Sequence, residues 1–294
     1  MTVAPARVRR VARAAAACFL IALGMAAAPA RADEAQIRQT LRTRLPPAMV
    51  IERVAKSPIA GLYQVVLDGE TVYTDEKAEY FFDGKISDIR SLPPTMLIES
   101  VAQSPIAGLR EVVIDGGIVY TDEKAEYVFG GSIFDIRTLP PRNLTEGRTR
   151  ELVARILSDA RALAIRRVSG DGARVLFTFE DPNCGYCKAL HREIAKLDNL
   201  TVYTFLMPIL SEDSVQKAHA VWCAKDRARA WDELMAKGVM PGEGSACPHP
   251  LDRIAALARR FQVASTPSIF LGDGTALGGY RSAADIEKAF GAAR

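Results

Sequence analysis

Residues 45–91 and 92–138 are two consecutive copies of one unit, identical at 33 of 47 positions with no gap between them. The first reads LPPAMVIERVAKSPIAGLYQVVLDGETVYTDEKAEYFFDGKISDIRS, and the second LPPTMLIESVAQSPIAGLREVVIDGGIVYTDEKAEYVFGGSIFDIRT. No other feature restricts the fold as strongly, because it demands the same small structure twice in succession. Each copy carries β signals. LYQVVL and TVYT flank a short loop with Asp68-Gly69, a hairpin signature, and AEYFF follows before Asp83-Gly84. A unit of this size buries too little surface to fold alone, and its short antiparallel sheet leaves open edges. Each copy therefore needs a partner surface. The copies either pair within one chain or each pairs across a dimer, and the sequence leaves both open. Two copies are too few for a solenoid.

The segments around the repeat read differently. Before it, EAQIRQTLRTRL places Ile37, Leu41 and Leu45 on one helical face. After it, Leu152, Val153, Ile156, Leu157, Ala160 and Leu163 form one helical stripe with Thr145 as the expected cap. The charges interleaved through RELVARILSDARALAIRR are expected on a solvated linker face. From Arg174 onward strands and helices alternate: RVLFTF, CGYCKALHREIAKL, LTVYTFLM, one long helical stretch SVQKAHAVWCAKDRARAWDELMAKG, and HPLDRIAALARRFQV. A hairpin turning at Asp273-Gly274 and a helix in SAADIEKAF close the chain. That order suits an α/β domain with a mixed sheet.

The first 32 of the 294 residues stand apart: four arginines, an apolar run near Ala14 to Ala28, then Ala30-Arg31-Ala32. This is the pattern of a secretory signal peptide, and its apolar run is shorter than the roughly 20 residues of a membrane-spanning helix. The leader holds five arginines and no acids, so the mature chain keeps 33 basic against 35 acidic residues. That balance gives no electrostatic case for nucleic acid or an anionic membrane as partner. Cys18 leaves with the leader, and four cysteines remain: Cys184, Cys187, Cys223 and Cys247. An even number in an exported chain makes disulfides the default.

Cys184 and Cys187 are spaced C-x-x-C at a strand-to-helix junction. A thiolate at Cys184 would face the first helical N–H groups, which lack intrahelical partners, and the helix dipole adds about 0.3–2 kcal/mol. Cys187 lies one turn later on the same face. The arrangement suits an exposed attacking thiol and a more buried resolving one, exchanging with a substrate disulfide through a mixed disulfide. A zinc site built from all four cysteines is the competing reading, although Cys223 and Cys247 lack a compact knuckle and His249 sits in a proline-flanked loop. Cys223–Cys247 is the natural staple, since it closes the longer loop. Gly185 and Tyr186, between the reactive cysteines, shape the face a substrate meets. Glu180 and Asp181 are candidates for tuning the thiols or relaying a proton, with capping the plainer role for Asp181. His191, Trp222 and Trp231 read as structural. Thr266-Pro267, before the last hairpin, is either a cis bond that frees the preceding backbone to pair with a peptide or an ordinary strand-opening proline.

CGYCKALH, AVWCAKDRARAWDELMAKG and GDGTALGGY resemble the catalytic domain of the periplasmic disulfide isomerases of the DsbC/DsbG type. SPIAGLYQVVLDGETVYTDEK resembles that family's N-terminal dimerisation domain. The resemblance implies an α+β N-terminal repeat region of small antiparallel, cystatin-like β units, joined by a helix to an α/β thioredoxin-fold domain. Its expected divisions are a signal peptide (1–32), a first β unit with its leading helix (33–91), a second copy (92–141), a linker helix (142–170) and a catalytic domain (171–294). It implies Cys184 as nucleophile, Cys187 as resolving thiol, a structural Cys223–Cys247 bridge, and Thr266 preceding a cis Pro267. It also implies periplasmic isomerisation of misoxidised exported proteins, no cofactor, and a DsbD-like membrane thiol reductant as partner. Family members carry one such β domain per chain and form V-shaped homodimers. With two copies here, a homodimer and an intrachain pseudo-dimer are both expected possibilities. A monomeric chain would favour oxidase or reductase chemistry, and a chaperone that merely holds clients is the non-enzymatic alternative.

Overall fold

The computed structural model describes residues 34–242 and 247–292, so the expected signal peptide, its cleavage site and Cys18 lie outside the described residues. The chain opens with α1 (Glu34–Arg44), followed by the first copy as β1 (Ile51–Lys56), β2 (Leu62–Leu67), β3 (Glu70–Asp75) and β4 (Tyr80–Asp88). The second copy repeats it as β5 (Ile98–Gln103), β6 (Leu109–Ile114), β7 (Gly117–Asp122) and β8 (Tyr127–Asp135). Asp68 and Gly69 both have positive φ, as do Asp115 and Gly116, so the two Asp-Gly hairpins turn alike.

The copies pair with each other inside one chain. Their strands form one antiparallel sheet in the order β1-β2-β3-β4-β8-β7-β6-β5, with the short β9 (Arg142–Asn143) added to β8. The seam is β4 against β8, running from Tyr80↔Asp135 through Gly84↔Gly131 to Asp88↔Tyr127. Gly84 and Gly131 occupy the same position of the repeat, so a local two-fold axis passes through their pairing. Neither site has room for a side chain. A Cβ on Gly131 would fall 1.9 Å from the Asp83 carbonyl oxygen, and one on Gly84 2.1 Å from that of Gly130. One core spans the seam, with Ile59, Leu62 and Phe82 from the first copy packed on Ile106, Leu109, Tyr120 and Phe129 from the second. The Phe82 ring lies 5.1 Å from Phe129 and 5.5 Å from Tyr120. Each unit thus supplies the surface that the other lacks.

The connecting helix α2 (Leu144–Asp159) buries Leu152, Val153, Ile156 and Leu157, as its apolar stripe predicts. Its cap is Asn143, whose side-chain oxygen accepts from the Glu146 N–H at 2.9 Å, and not Thr145. Thr145 turns inward instead. Its hydroxyl pairs with the Tyr120 hydroxyl at 2.7 Å and accepts from the Ile133 N–H at 2.8 Å, tying the helix to the second copy. The helix stops short of the expected residue 170: a 3-10 turn at Arg161–Leu163 leads into β10 (Ile165–Ser169). IRRVS cannot show this by its own pattern, because its pairing partners lie 31 to 39 residues away, from Ser169 opposite Leu200 to Ile165 opposite Thr204.

The remaining elements are β11 (Arg174–Glu180), α3 (Gly185–Ile194), β12 (Leu200–Leu206), α4 (Glu212–Cys223), α5 (Arg227–Lys237), α6 (Leu251–Arg260), β13 (Ser268–Leu271), β14 (Ala276–Gly278) and α7 (Ala283–Ala292). They form a mixed sheet, β10-β12-β11-β13-β14, in which only β11 and β12 run parallel. One face packs Leu190 and Ile194 of α3 and Ile286 of α7 against Leu176 and Ile269. The other carries α2 and α4–α6 over Phe177, Phe179 and Phe205. This is a thioredoxin-like domain. The expected single helix through residues 214–238 is two, broken after Cys223 because Asp226 caps α5 and Arg227 folds back over the Trp222 ring at 3.8 Å. Trp222 and Trp231 are both buried.

The expected solvated face on the linker holds for most of its charges, with Arg150, Glu151, Arg155, Asp159, Arg161 and Arg166 exposed, and fails at Arg167. Just before that stretch, the Arg148 guanidinium donates to buried Glu111 of β6 at 3.1 Å. Arg161 lies over the rings of Tyr203 (5.2 Å) and Phe177 (5.9 Å). Arg167 reaches Thr204, His191 and Asp232, each at 3.2 Å. Planar guanidinium groups stack and fork across the sheet, which one-dimensional charge patterning does not reveal.

Candidate active site

The buried strand β11 ends at Glu180, and Asp181 through Asn183 form the turn that delivers Cys184 to the start of α3. Cys184 is the N-cap, with extended backbone, and its sulfur accepts from the Cys187 N–H at 3.3 Å. The same thiol donates to the Thr266 carbonyl at 3.3 Å. The Thr266–Pro267 peptide bond is cis. Sequence-distant residues are thus brought onto one sulfur. Gly185 and Tyr186 are exposed beside it, and Tyr280 of the final hairpin faces Tyr186 with ring centroids 6.3 Å apart.

Cys184 and Cys187 are free thiols, with residue exposures of 5% and 0%. The expected contrast between an exposed and a buried sulfur is therefore small in this state. Cys184 is closed in because it packs with the buried core of α4–α6 while the Thr266 carbonyl abuts its sulfur. The two differ more in surroundings. Burial pushes the Cys187 thiol pKa well above its ordinary value, and the carboxyl group of Glu180 adds to the rise.

Glu180 is fully buried, and one carboxyl oxygen accepts from Thr178 (2.7 Å) and Thr204 (3.4 Å) while the other has no hydrogen-bond partner. Burial pushes its pKa up, with the Arg167 guanidinium opposing. Asp181 is equally buried but fully engaged. It accepts from the Asn183 N–H (2.7 Å), the Ser214 hydroxyl (2.8 Å) and the N–H groups of Ile209 (2.8 Å) and Leu210 (3.0 Å). Those are the contacts of a carboxylate organising the turn before Cys184 and the loop before α4. His191 is buried against Arg167 and Asp232, away from the sulfurs' hydrogen bonds.

Cys223 and Cys247 are bonded to each other, with Cα atoms 5.7 Å apart. The second pair that a four-cysteine zinc site would need is thereby taken up. Among the described residues no group of three or more His, Cys, Asp or Glu side chains could hold a metal ion, and no helix is long and apolar enough to cross a membrane.

Two groups near the site were not singled out by sequence. Asn183 donates to Asp213 at 2.7 Å and accepts from Lys217 at 2.8 Å, tying the turn before Cys184 to α4. Tyr280 ends the GDGTALGGY stretch, and only the folded hairpin brings it opposite Tyr186. A second cis bond, Leu139–Pro140, lies outside the site and was not anticipated.

A family profile described as "Thioredoxin-like domain" matches residues 162–294, starting just before β10. One described as "Disulfide bond isomerase protein N-terminal domain" matches twice, over residues 28–92 and 89–146, once for each copy. A "Probable thiol:disulfide interchange protein DsbC" from Bordetella pertussis is 50% identical over 117 residues, covering 40% of this chain and 42% of that protein. The chain thus aligns with less than half of that relative's length. The "Thiol:disulfide interchange protein DsbC" of Haemophilus influenzae is 28% identical over 92% of this chain and 96% of its own. A disulfide interchange protein from Neisseria gonorrhoeae, solved as a crystal structure, is 36% identical, covering 45% of this chain and 96% of that one at a TM-score of 0.43.

Proposed function

The chain belongs to the DsbC-like thiol:disulfide isomerase family, and from that premise we propose that it carries out thiol–disulfide interchange through Cys184 and Cys187, rearranging non-native disulfides in exported proteins. The observation that carries this reading is the pair itself. Cys184 caps α3, Cys187 follows one turn later, and the Thr266 carbonyl sits 3.3 Å from the first sulfur.

Unprotonated Cys184 sulfur attacks one sulfur of a client disulfide, forming a mixed disulfide and releasing the other client sulfur as thiolate. The N–H of Cys187, which already donates to the Cys184 sulfur, stabilises its negative charge before attack and again when it leaves. In isomerisation a second client thiolate attacks the mixed disulfide and Cys184 departs, with no net electron transfer. If Cys187 attacks Cys184 instead, the client leaves reduced by two electrons and the pair is left oxidised. Burial and Glu180 keep Cys187 protonated, which slows that escape and favours isomerisation. Gly185, Tyr186, Thr266 and Pro267 form the surface on which the client segment lies. The leader pattern supports a periplasmic location, and a membrane thiol reductant would return the pair to the dithiol.

The intrachain seam favours one second reading. With the two β units paired to each other, a monomer carries one catalytic domain, and a reductase or oxidase acting alone fits that arrangement. Reactivation of scrambled ribonuclease, measured beside insulin reduction and sedimentation mass, separates the two. Reactivation that exceeds what insulin reduction accounts for supports isomerisation. Insulin reduction without reactivation overturns it in favour of the second reading.

A further inference from the structure

The two copies are not covered alike. On the first, α1 lies across one face: Ile37 and Leu41 are buried on Val54, Val65 and Ala78. Its arginines grip the backbone. Arg38 donates to the carbonyls of Ile51 and Glu52, and Arg44 to those of Lys77 and Ala78. Forty-seven residues along the chain, the repeat presents the same surface again as Ile98, Glu99, Val101, Val112, Lys124 and Ala125. Among the described residues no helix lies across it, because the residues preceding the second copy form β4 and a 3-10 turn, and α6 reaches only its edge, where the Arg260 guanidinium pairs with Glu99. Val101 is therefore 61% exposed where Val54 is 6% exposed, Ile98 is 62% exposed, and Ala125 is open where Ala78 is closed off, while Val112 stays buried between its neighbouring strands.

We infer that this bare face of the second copy is a docking site for an amphipathic helical segment of a client polypeptide. The covered copy states the chemistry of the occupant. It carries an apolar residue followed at once by arginine, a second apolar residue four positions after the first, and an arginine three further on, as in Ile37, Arg38, Leu41 and Arg44. Two apolar contacts and two cations aimed at backbone carbonyls select a pattern and not a sequence, which suits a surface that receives many clients. A second copy of the chain is the weaker occupant, since its own α1 already has both apolar residues buried. The inference rests on the reading that the chain handles client polypeptides. Its test uses no thiol chemistry, so the two can fail separately.

The probe is a labelled peptide of residues 33–46, titrated against the full mature chain and followed by fluorescence anisotropy. The chain's own α1 is held at a high effective concentration, so the peptide is left the second face. Saturable one-to-one binding is expected, weakened roughly tenfold or more by Val101→Asp in the protein, because a carboxylate would then be desolvated under the helix. Arg38→Glu in the peptide should also weaken it. Val101 is exposed, so the variant keeps its fold and its disulfide exchange. Absence of saturable binding, or equal binding by the Val101→Asp protein, overturns the inference. So does a dimer of the mature chain in sedimentation that Val101→Asp dissociates, since a second copy would then cover the face.

Discussion

Replacing Gly131 by alanine tests the seam between the copies. Gly131 has φ +152°, a region that side chains rarely adopt, and its new Cβ would lie 1.9 Å from the Asp83 carbonyl oxygen and 2.7 Å from the Gly84 Cα. The backbone term costs about 1–3 kcal/mol, and forcing the strands apart adds about 1–3 kcal/mol. The total, about 2–6 kcal/mol, is a large fraction of the roughly 5–15 kcal/mol that stabilises a domain. Trp222 and Trp231 are the two tryptophans and both lie in the thioredoxin-like domain, so their fluorescence reports that domain alone. In urea, Gly131→Ala should lose far-ultraviolet β signal at a lower concentration than wild type while the tryptophan transition moves little. Gly130→Ala is the control, since a Cβ there meets nothing within 4 Å. It should shift either transition by less than about 1 kcal/mol. A Gly131→Ala protein as stable as wild type, or a Gly130→Ala protein equally destabilised, would refute the reasoning.

Burial and Arg167 hold the His191 pKa down to about 4, with Asp232 acting the other way. The unfolded chain binds that proton near 6.5, so stability should fall as pH drops from 6.5 towards 4. His191→Asn should flatten that slope in urea titrations at several pH values, and an unchanged slope would contradict the assignment. Glu180 acts in the opposite sense. Its pKa is raised by burial, so the folded chain keeps a proton that the unfolded chain releases near 4.5, and stability should decline as pH rises from there. Glu180→Gln should remove that decline. Replacing Cys223 and Cys247 by serine opens a loop closed across a separation of 24 residues. By chain entropy this should cost about 3.5 kcal/mol of unfolding free energy, and a loss below 1 kcal/mol would contradict it.

Much of the site is visible in the sequence because its signals are local. C-x-x-C followed by KALHREIAKL marks a helix start, and the Asp273-Gly274 hairpin after Thr266-Pro267 marks a strand that must return to the sheet. The repeat shows itself by identity, yet its pairing does not. A strand that pairs with its own copy offers the same edge to the other copy in the chain and to another chain. Only the β4–β8 register reveals why glycine stands at both 84 and 131. What stayed hidden depends on distant partners: β10 pairs across to β12, Thr145 turns into the second copy, and Arg161 and Arg167 settle on the catalytic sheet. The apolar spacing runs on across Asp226 as though unbroken, and only the fold shows that this residue caps a second helix.

The most direct measurement is a trapping experiment with the reduced Cys187→Ser chain and a client carrying non-native disulfides. After acid quench and proteolysis, mass spectrometry should find a mixed disulfide between the client and Cys184, absent when Cys184 is also replaced. Client bound through no cysteine of the chain, or an unaltered yield without Cys184, would contradict the account.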